Sequence, residues 1–361
     1  MKTIVLTGGP CAGKTTALAR IYRIFTERGF AVYTLPEAPT LFNQAGVNFL
    51  TADKKLFLET EKTLLDFQMH MEEQFQRIAR KDGRPSLIVC DRGTMDIAAY
   101  MPHDVWQAIL DETQMNPVEL RDKRYDAIIH MCTAAKGAER FYTLENNASR
   151  TEDPSTARML DDRLIRAWTG HPHLRIVGND TDFEGKLNRV VAEIAAVLGV
   201  PEPIETERKF LVDLTGDIPE DNESEIYQTY LLAADGTEQR LRKRGENGHF
   251  VYFLTEKHKL SGAQRVELER QISPSEYIEL LQKADPERVT IHKIRRCFVW
   301  QNQYFELDIF KEPKLAHQLL EIEGLPEDGN DIVFPPFLNV LEEVTEDPRY
   351  FNANIARLKD V

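Results

Sequence analysis

The chain lacks any apolar run approaching the roughly 18 to 20 residues that a membrane-spanning helix requires, so no transmembrane segment is expected. Its amino end, Met1 to Thr7, is apolar only briefly before Gly8-Gly9-Pro10 and offers no small-residue cleavage site, so no secretory signal is read there. Cysteine is scarce. Cys11, Cys90, Cys132 and Cys297 stand far apart without a Cys-x-x-Cys pair, which speaks against a disulfide framework or a zinc site and for reduced thiols in a cytoplasmic protein. Positive charge is in deficit: 45 Lys+Arg stand against 59 Asp+Glu, a net charge of -14. A wide basic surface is what nucleic-acid binding draws on, so no nucleic-acid partner is expected. Repeats and low-complexity tracts are also missing.

What is present is a globular composition, 42% apolar and 29% charged, in 361 residues. That length exceeds one ordinary core and predicts two domains. Apolar runs at Thr3 to Thr7, Ala31 to Leu35, Leu87 to Cys90, Ala127 to Met131 and Leu174 to Val177 read as strands. Between them Lys14 to Arg28, Lys54 to Arg80 and Asp182 to Leu198 carry apolar residues at helical spacing. This alternation predicts an α/β domain with a parallel sheet over residues 1–200. The prolines of Gly199-Val200-Pro201-Glu202-Pro203 then break the pattern.

From residue 204 to 361 the period is two, in Glu205 to Val212, Glu225 to Leu232, Thr237 to Arg244, Phe250 to Lys257, Gln264 to Gln271, Val289 to Trp300, Tyr304 to Phe310 and His317 to Glu323. A mostly antiparallel α+β domain is predicted. Pro274 to Lys283 reads as a helical crossover, and Pro335 to Leu341 and Pro348 to Leu358 as closing helical segments. Charge is sorted unevenly: residues 1–203 hold 25 basic against 28 acidic side chains, residues 204–361 hold 20 against 31. The acidic excess therefore sits in the second domain, where basic residues also recur in spaced pairs.

The segment Gly8-Gly9-Pro10-Cys11-Ala12-Gly13-Lys14-Thr15, followed by Thr16, fits Gly-x4-Gly-Lys-Thr between a strand and a helix. Glycines let backbone N–H groups close around phosphate, the helix amino end adds a favourable dipole, Lys14 neutralises charge, and Thr15 can ligate magnesium. Asp91, at the end of the third strand, stands where a carboxylate reaches the magnesium shell. Arg92 follows it, so the adjacent carboxylate of ATP-driven motors is missing, which favours a kinase or switch. Glu37 serves as a base or metal ligand, or is an exposed loop residue. Arg140, Arg150, Arg158 and Arg163 belong to a mobile lid over the phosphates or to a solvated basic helix. His171-Pro172-His173 has no partners at metal spacing and reads as a loop.

The phosphate loop, the Asp91-Arg92-Gly93 turn, Thr133-Ala134-Ala135, Phe141-Tyr142, Asn146-Asn147, Ala167 to Pro172 and Asn179 resemble the P-loop domain shared by nicotinamide-riboside kinase-like proteins and the TRPL translocation defect family. The resemblance implies ATP or GTP binding at Gly8 to Thr16. It supplies no phosphoryl acceptor.

In the second domain, side chains at i, i+2 and i+4 of a strand share a face. This groups Glu205, Glu207 and Lys209; Arg240, Arg242 and Arg244; Thr255 and Lys257; Glu267 and Glu269; Lys293 and Arg295; Glu306 and Asp308; Glu321 and Glu323. Each pair alone fits the wet face of a half-buried sheet. If the sheet curls into a barrel with these faces inward, carboxylates gather divalent cations and the basic residues grip a polyphosphate. Phe210, Val212, Leu241, Phe253, Val266, Leu268, Ile294, Phe305, Leu307, Ile309 and Ile322 would then pack outside against helices.

These motifs, with Val344-Thr345 and Tyr350-x-Asn352, resemble the CYTH superfamily of triphosphate tunnel metalloenzymes, which includes class IV adenylate cyclases and thiamine triphosphatases. The resemblance implies metal binding by Glu205, Glu207, Asp308, Glu321 and Glu323, and triphosphate binding by Lys209, Arg240, Arg242, Lys257, Lys293 and Arg295. Glu205, Glu207, Lys209 and Asp91 are the expected catalytic set. The expected activity is magnesium- or manganese-dependent hydrolysis of inorganic triphosphate, or another triphosphate, to diphosphate and phosphate. Two alternatives stand beside it: an ATP- or GTP-gated regulator binding a phosphorylated small molecule without turnover, and a small-molecule kinase.

Overall fold

The computed structural model describes residues 1–49, 51, 53–139, 153–200, 207–232, 238–259, 265–323 and 332–357, and for 257–259, 265–268 and 323 the backbone only. Glu205, Arg140, Arg150, Phe141, Tyr142, Asn146 and Asn147 thus lie outside the described residues, as do the side chains of Lys257, Glu267 and Glu323. The chain separates into two compact units, Met1–Leu198 and Gly199–Val361. No described helix is long and apolar enough to cross a membrane.

The first unit is a parallel sheet of β1 (Lys2–Thr7), β2 (Ala31–Leu35), β3 (Ser86–Asp91), β4 (Ala127–Met131) and β5 (Leu174–Val177), in the order β2-β3-β1-β4-β5. The helices are α1 (Lys14–Glu27), α2 (Ala38–Gln44), α3 (Lys54–Asp82), α4 (Thr94–Ala99), α5 (His103–Thr113), α6 (Pro154–Trp168) and α7 (Phe183–Leu198). Ile4, Leu6, Val89, Ile129 and Met131 are fully buried because helices cover the sheet, with Ala17, Ile21 and Phe25 of α1 and Leu187, Val190 and Ile194 of α7 packed against them. Neighbouring β1 and β3 end at Thr7 and Asp91, so the loops after them meet at one edge, where ligands bind in open α/β sheets.

The second unit is a nine-stranded antiparallel sheet of β6 (Glu207–Leu214), β7 (Asn222–Leu231), β8 (Glu238–Glu246), β9 (His249–Lys259), β10 (Arg265–Ile272), β11 (Ile291–Trp300), β12 (Gln303–Glu312), β13 (Gln318–Glu323) and β14 (Leu338–Glu343), with helices α8 (Pro274–Leu281) and α9 (Asn352–Ile355). Its order is β10-β9-β8-β7-β11-β12-β13-β6-β14. Two expectations are corrected. Part of Pro335 to Leu341, read as helical, is strand β14, because Leu338 and Val340 pair beside Leu214 and Val212 and pack on Phe210. Phe253, assigned to the apolar face, lies on the charged one: it pairs with Arg242, two residues from the Thr255–Arg240 pair. The expected outward cluster covers Phe210, Val212, Phe305, Leu307 and Ile322, but among the described residues it packs on Phe298, Leu320, Leu338, Phe334 and Phe337, none of them in a helix. Leu241 does pack on α8, through Tyr277.

Candidate functional site

At the sheet edge of the first unit the loop after β1 delivers its backbone to the start of α1. Gly13 caps that helix in the left-handed region, φ 93°, and a Cβ there would meet the Phe183 ring at 2.6 Å. Lys14 Nζ donates to the Gly8 carbonyl at 3.2 Å, folding the side chain back over the loop. Thr15 and Thr16 are exposed. Burial first, and the neighbouring Arg92 guanidinium second, push the Lys14 ammonium down to about 8. Asp91 is pushed up by burial, and its Oδ1 accepts no hydrogen bond from the described residues. An orphaned carboxylate oxygen beside a phosphate loop fits a metal-ligand role.

Two carboxylates that sequence reasoning missed brace this loop. Asp96 of α4 accepts from the Gly93 amide at 2.9 Å, Trp168 Nε1 at 3.1 Å, Arg92 Nη1 at 3.3 Å and the Thr7 hydroxyl. Asp161 of α6 accepts from the Gly9 amide at 2.9 Å and the Thr133 amide at 3.0 Å, and contacts His130 Nε2 at 3.1 Å and Lys136 Nζ at 2.9 Å. His130, Cys132 and Asp161 place ligand atoms within 4.8 Å of one another, but the Gly9 and Thr133 amides and His130 crowd Asp161 Oδ1, Lys136 pairs with its Oδ2, and burial pushes the Cys132 thiol up to about 12. The only hint in the sequence was a carboxylate on the apolar stripe of α6, beside Leu160, Leu164 and Ile165.

Arg92, in the left-handed region at φ 71°, pairs with Glu37 and Asp96. Such a backbone in a non-glycine residue marks a place where the surroundings over-determine the conformation. Attraction to Arg92 and Lys14 outweighs burial and holds Glu37 below its usual range. Of the four arginines weighed for a lid, Arg158 donates to the Ala135 carbonyl at 3.0 Å and Arg163 is exposed. His171 is buried with Nε2 on the Tyr125 carbonyl at 3.1 Å. Loop, Glu37, Asp91 and Arg92 border one cleft of about 1630 Å³, which also reaches Phe57, Glu61 and Gln68 of α3.

In the second unit the strand register assembles the alternating charges on one face. Glu207 pairs with Glu323, Lys209 with Glu321, Glu321 with Glu306, and Asp308 with Arg295. Beyond β11 the same face carries uncharged Ser224, Ile226, Gln228 and Tyr230 of β7, then Arg240, Arg242 and Arg244 of β8, and then Thr255 paired with Glu269. The face turns apolar at its other end, where Leu211, Tyr230, Ile291, Phe310 and Leu319 pack with Val344, Ile355 and Ala356.

These charges are buried: Asp308 is 0% exposed, Lys293 3%, Glu321 5% and Arg295 7%. They neutralise one another. Arg295 reaches both Asp308 oxygens, at 2.7 and 2.6 Å, and also Glu306 and Glu321; Lys293 contacts Asp308. Lys209 bridges Glu207 at 2.8 Å and Glu321 at 2.9 Å. Burial alone would discharge these groups, but the opposite charges outweigh it, raising Lys209 and lowering Glu321. Lys293 is the exception, lowered because burial prevails over Asp308. Arg242 contacts Glu269 at 3.4 Å, and Thr255 donates to Glu269 at 2.9 Å. Glu306 was left out of the expected ligand set, although it falls on the same alternation as Asp308.

Comparison with known proteins bears on both units. A family model described as an AAA domain matches residues 3–186. An inorganic triphosphatase of Nitrosomonas europaea is 36% identical over 154 residues, 42% of this chain and 96% of that protein. One of Acetivibrio thermocellus is 30% identical over 155 residues, 42% of this chain and 93% of that protein. A solved inorganic triphosphatase structure is 35% identical, covers 44% of this chain and 97% of that one, and has a TM-score of 0.34.

Proposed function

The chain belongs to the AAA domain family through residues 3–186 and shares a family with the inorganic triphosphatases through 42% of its length, and from that premise we propose a two-site protein. The first unit binds ATP or GTP on Gly8 to Thr16, with magnesium held by Thr15 and Asp91. The second is a CYTH-type triphosphate tunnel that hydrolyses inorganic triphosphate to diphosphate and phosphate. The observation that carries the second half is the buried, self-neutralising charge of β6, β11, β12 and β13. A buried ion network is weak evidence for stability, since well-packed apolar residues often do as well. Its retention points to a ligand that brings both charges.

The donor set suits such a ligand. Glu207, Asp308 and Glu321, completed by Glu205 and Glu323, are hard oxygen ligands fit for magnesium or manganese, which would neutralise phosphate charge and activate water. Lys209, Arg240, Arg242, Lys293 and Arg295, with Lys257, hold the phosphate oxygens and orient the terminal group. On binding, carboxylates and cations exchange each other for metal and phosphate, so no bare charge is left buried. Water oxygen bonds to the terminal phosphorus as the bridging P–O bond breaks, and diphosphate leaves.

Phosphate release from inorganic triphosphate with magnesium or manganese tests this. Release should survive Lys14→Ala and fall at least about a hundredfold in Glu207→Ala, the order of loss seen when charge-stabilising groups are removed from a transition state. Absence of release from the unmodified protein would sink the hydrolase reading.

A further inference from the structure

The cleft of the first unit is larger than one ligand needs, since small-molecule pockets run to roughly 300–1,000 Å³ and this one holds about 1630 Å³. Its far wall is α3, which presents Phe57, Glu61, Leu64 and Gln68 to the cleft at spacings of four, three and four, one stripe of a helix. Glu61 is the anomaly on that stripe. It is only 6% exposed, yet no described residue donates a hydrogen bond to it. Glu72, about three turns along the same helix, shows what a structural carboxylate looks like here: it accepts from Gln68, Tyr125 and Arg124. Its carboxyl opens only onto the cleft, where such partners are lacking among the described residues, so leucine at 61 is expected to cost the fold nothing.

Gln68 supplies the second half. Its Nε2 donates to Glu72 Oε1 at 2.7 Å and to the Arg92 carbonyl at 3.4 Å, so both acceptors set the amide's orientation and leave Oε1 as an acceptor on the cleft side. The cations bordering the cleft are engaged elsewhere: Lys14 with the Gly8 carbonyl, Arg92 with Glu37 and Asp96, and Lys186 with the Cys132 carbonyl and Asn179. Phe57 and Leu64 flank these polar groups on α3, and Phe49 and Tyr100 also line the cleft, together with the amides of Asn43, Gln44 and Asn48.

We propose that this end of the cleft is a second small-molecule subsite, taking an apolar or ring-bearing molecule whose ammonium or N–H donors are received by the Glu61 carboxyl and Gln68 Oε1. Two unfilled acceptors on an apolar wall select donors over anions, so the subsite excludes a second phosphate and admits an amine. Burial alone pushes the Glu61 carboxyl up to about 7, so near neutrality a bound cation is enough to hold it ionised. The subsite adjoins the nucleotide site proposed above and rests on that reading only for what shares the cleft.

The probes are agmatine, phenethylamine, adenosine and cytidine, titrated calorimetrically into the full chain with and without a non-hydrolysable ATP analogue and magnesium. At least one should bind the unmodified protein and lose tenfold or more in affinity in Glu61→Leu and in Glu61→Gln, while affinity for the analogue stays within twofold. Binding of none of the four, or equal binding to all three proteins, overturns the subsite. Failure of the analogue alone to bind would instead count against the nucleotide reading. A melting temperature for Glu61→Leu at or above that of the unmodified protein at pH 8 supports a ligand role; a lowered one, with Glu61→Gln lowered too, assigns Glu61 to the fold and overturns the proposal.

Discussion

The two units solve the same problem, holding phosphate charge, by opposite means. In the first, the groups poised for phosphate are mainly backbone amides at a strand-to-helix turn, and side-chain charge is sparse, with Asp96 and Asp161 tying loop amides in place. In the second, the groups are side chains on regular strands, every other residue, and acids on β6, β12 and β13 face bases on β6 and β11. The first site keeps its shape without ligand because its donors are covalently part of the chain. The second, folded around apolar clusters of its own, holds its buried charges by pairing them, so on the proposed reading those pairs are exchanged on binding.

The contrast breaks most visibly at Arg295. Replacing it by methionine leaves Asp308 with Lys293 and Glu321 with Lys209, and takes the same cation from Glu306. Removing one partner of a buried charge network costs about 3–5 kcal/mol. Hydrogen exchange of β11 and β12 amides should show a loss of that size, with β1 and β3 unchanged. Equal loss in both sheets would mean the two units do not respond separately.

A smaller effect sharpens the other side. Asp96→Asn turns one acceptor of the Gly93, Trp168 and Thr7 donors into a donor facing donors. A buried unsatisfied polar group costs about 1–3 kcal/mol, read by exchange at β1 and β3. The phosphate loop should lose nucleotide affinity with it, since the Gly93 turn and Arg92 are held by the same carboxylate. Unchanged exchange would show that the brace is dispensable.

How much of this could be seen in the sequence follows from the same contrast. The loop Gly8 to Thr15 is contiguous, so its chemistry is legible without a fold. The strands of the second unit announce a charged face by period, because alternation needs only neighbours two apart. Which acid meets which base is a matter of register: Lys209 and Glu321 are 112 residues apart, and pairing them takes the β6–β13 ladder. Phe253 shows the same limit, since its side of the sheet is set by its partner Arg242 and not by its own hydrophobicity. Asp96 and Asp161 were hidden for a different reason. Their partners are backbone amides of distant loops, and amides leave no mark in a sequence. Pro335 to Leu341 looked like a closing helix because an isolated edge strand of six residues carries little periodic signal.

The smallest expected effect is a pH dependence that separates the sites. Burial and Arg92 push Lys14 down to about 8, whereas Lys209 is raised by Glu321 and Glu207. On the proposed function a triphosphate binds the protonated lysine in either place. Below pH 8 Lys14 already carries its proton, so nucleotide affinity is flat there; above 8 the apo site has lost the proton and binding must take it up. Affinity should then fall by up to about tenfold per pH unit, or about 1.4 kcal/mol. The Lys209 proton is retained throughout this range, so in a Lys293→Arg protein, which removes the lysine that burial lowers, triphosphate affinity of the second unit under saturating magnesium should stay level between pH 7 and 9.5. Calorimetric titration of the ATP analogue and of inorganic triphosphate across that range measures both. A nucleotide curve as level as the triphosphate curve would mean that Lys14 keeps its charge despite burial, and the asymmetry between a backbone-built and a side-chain-built site would not extend to their protons.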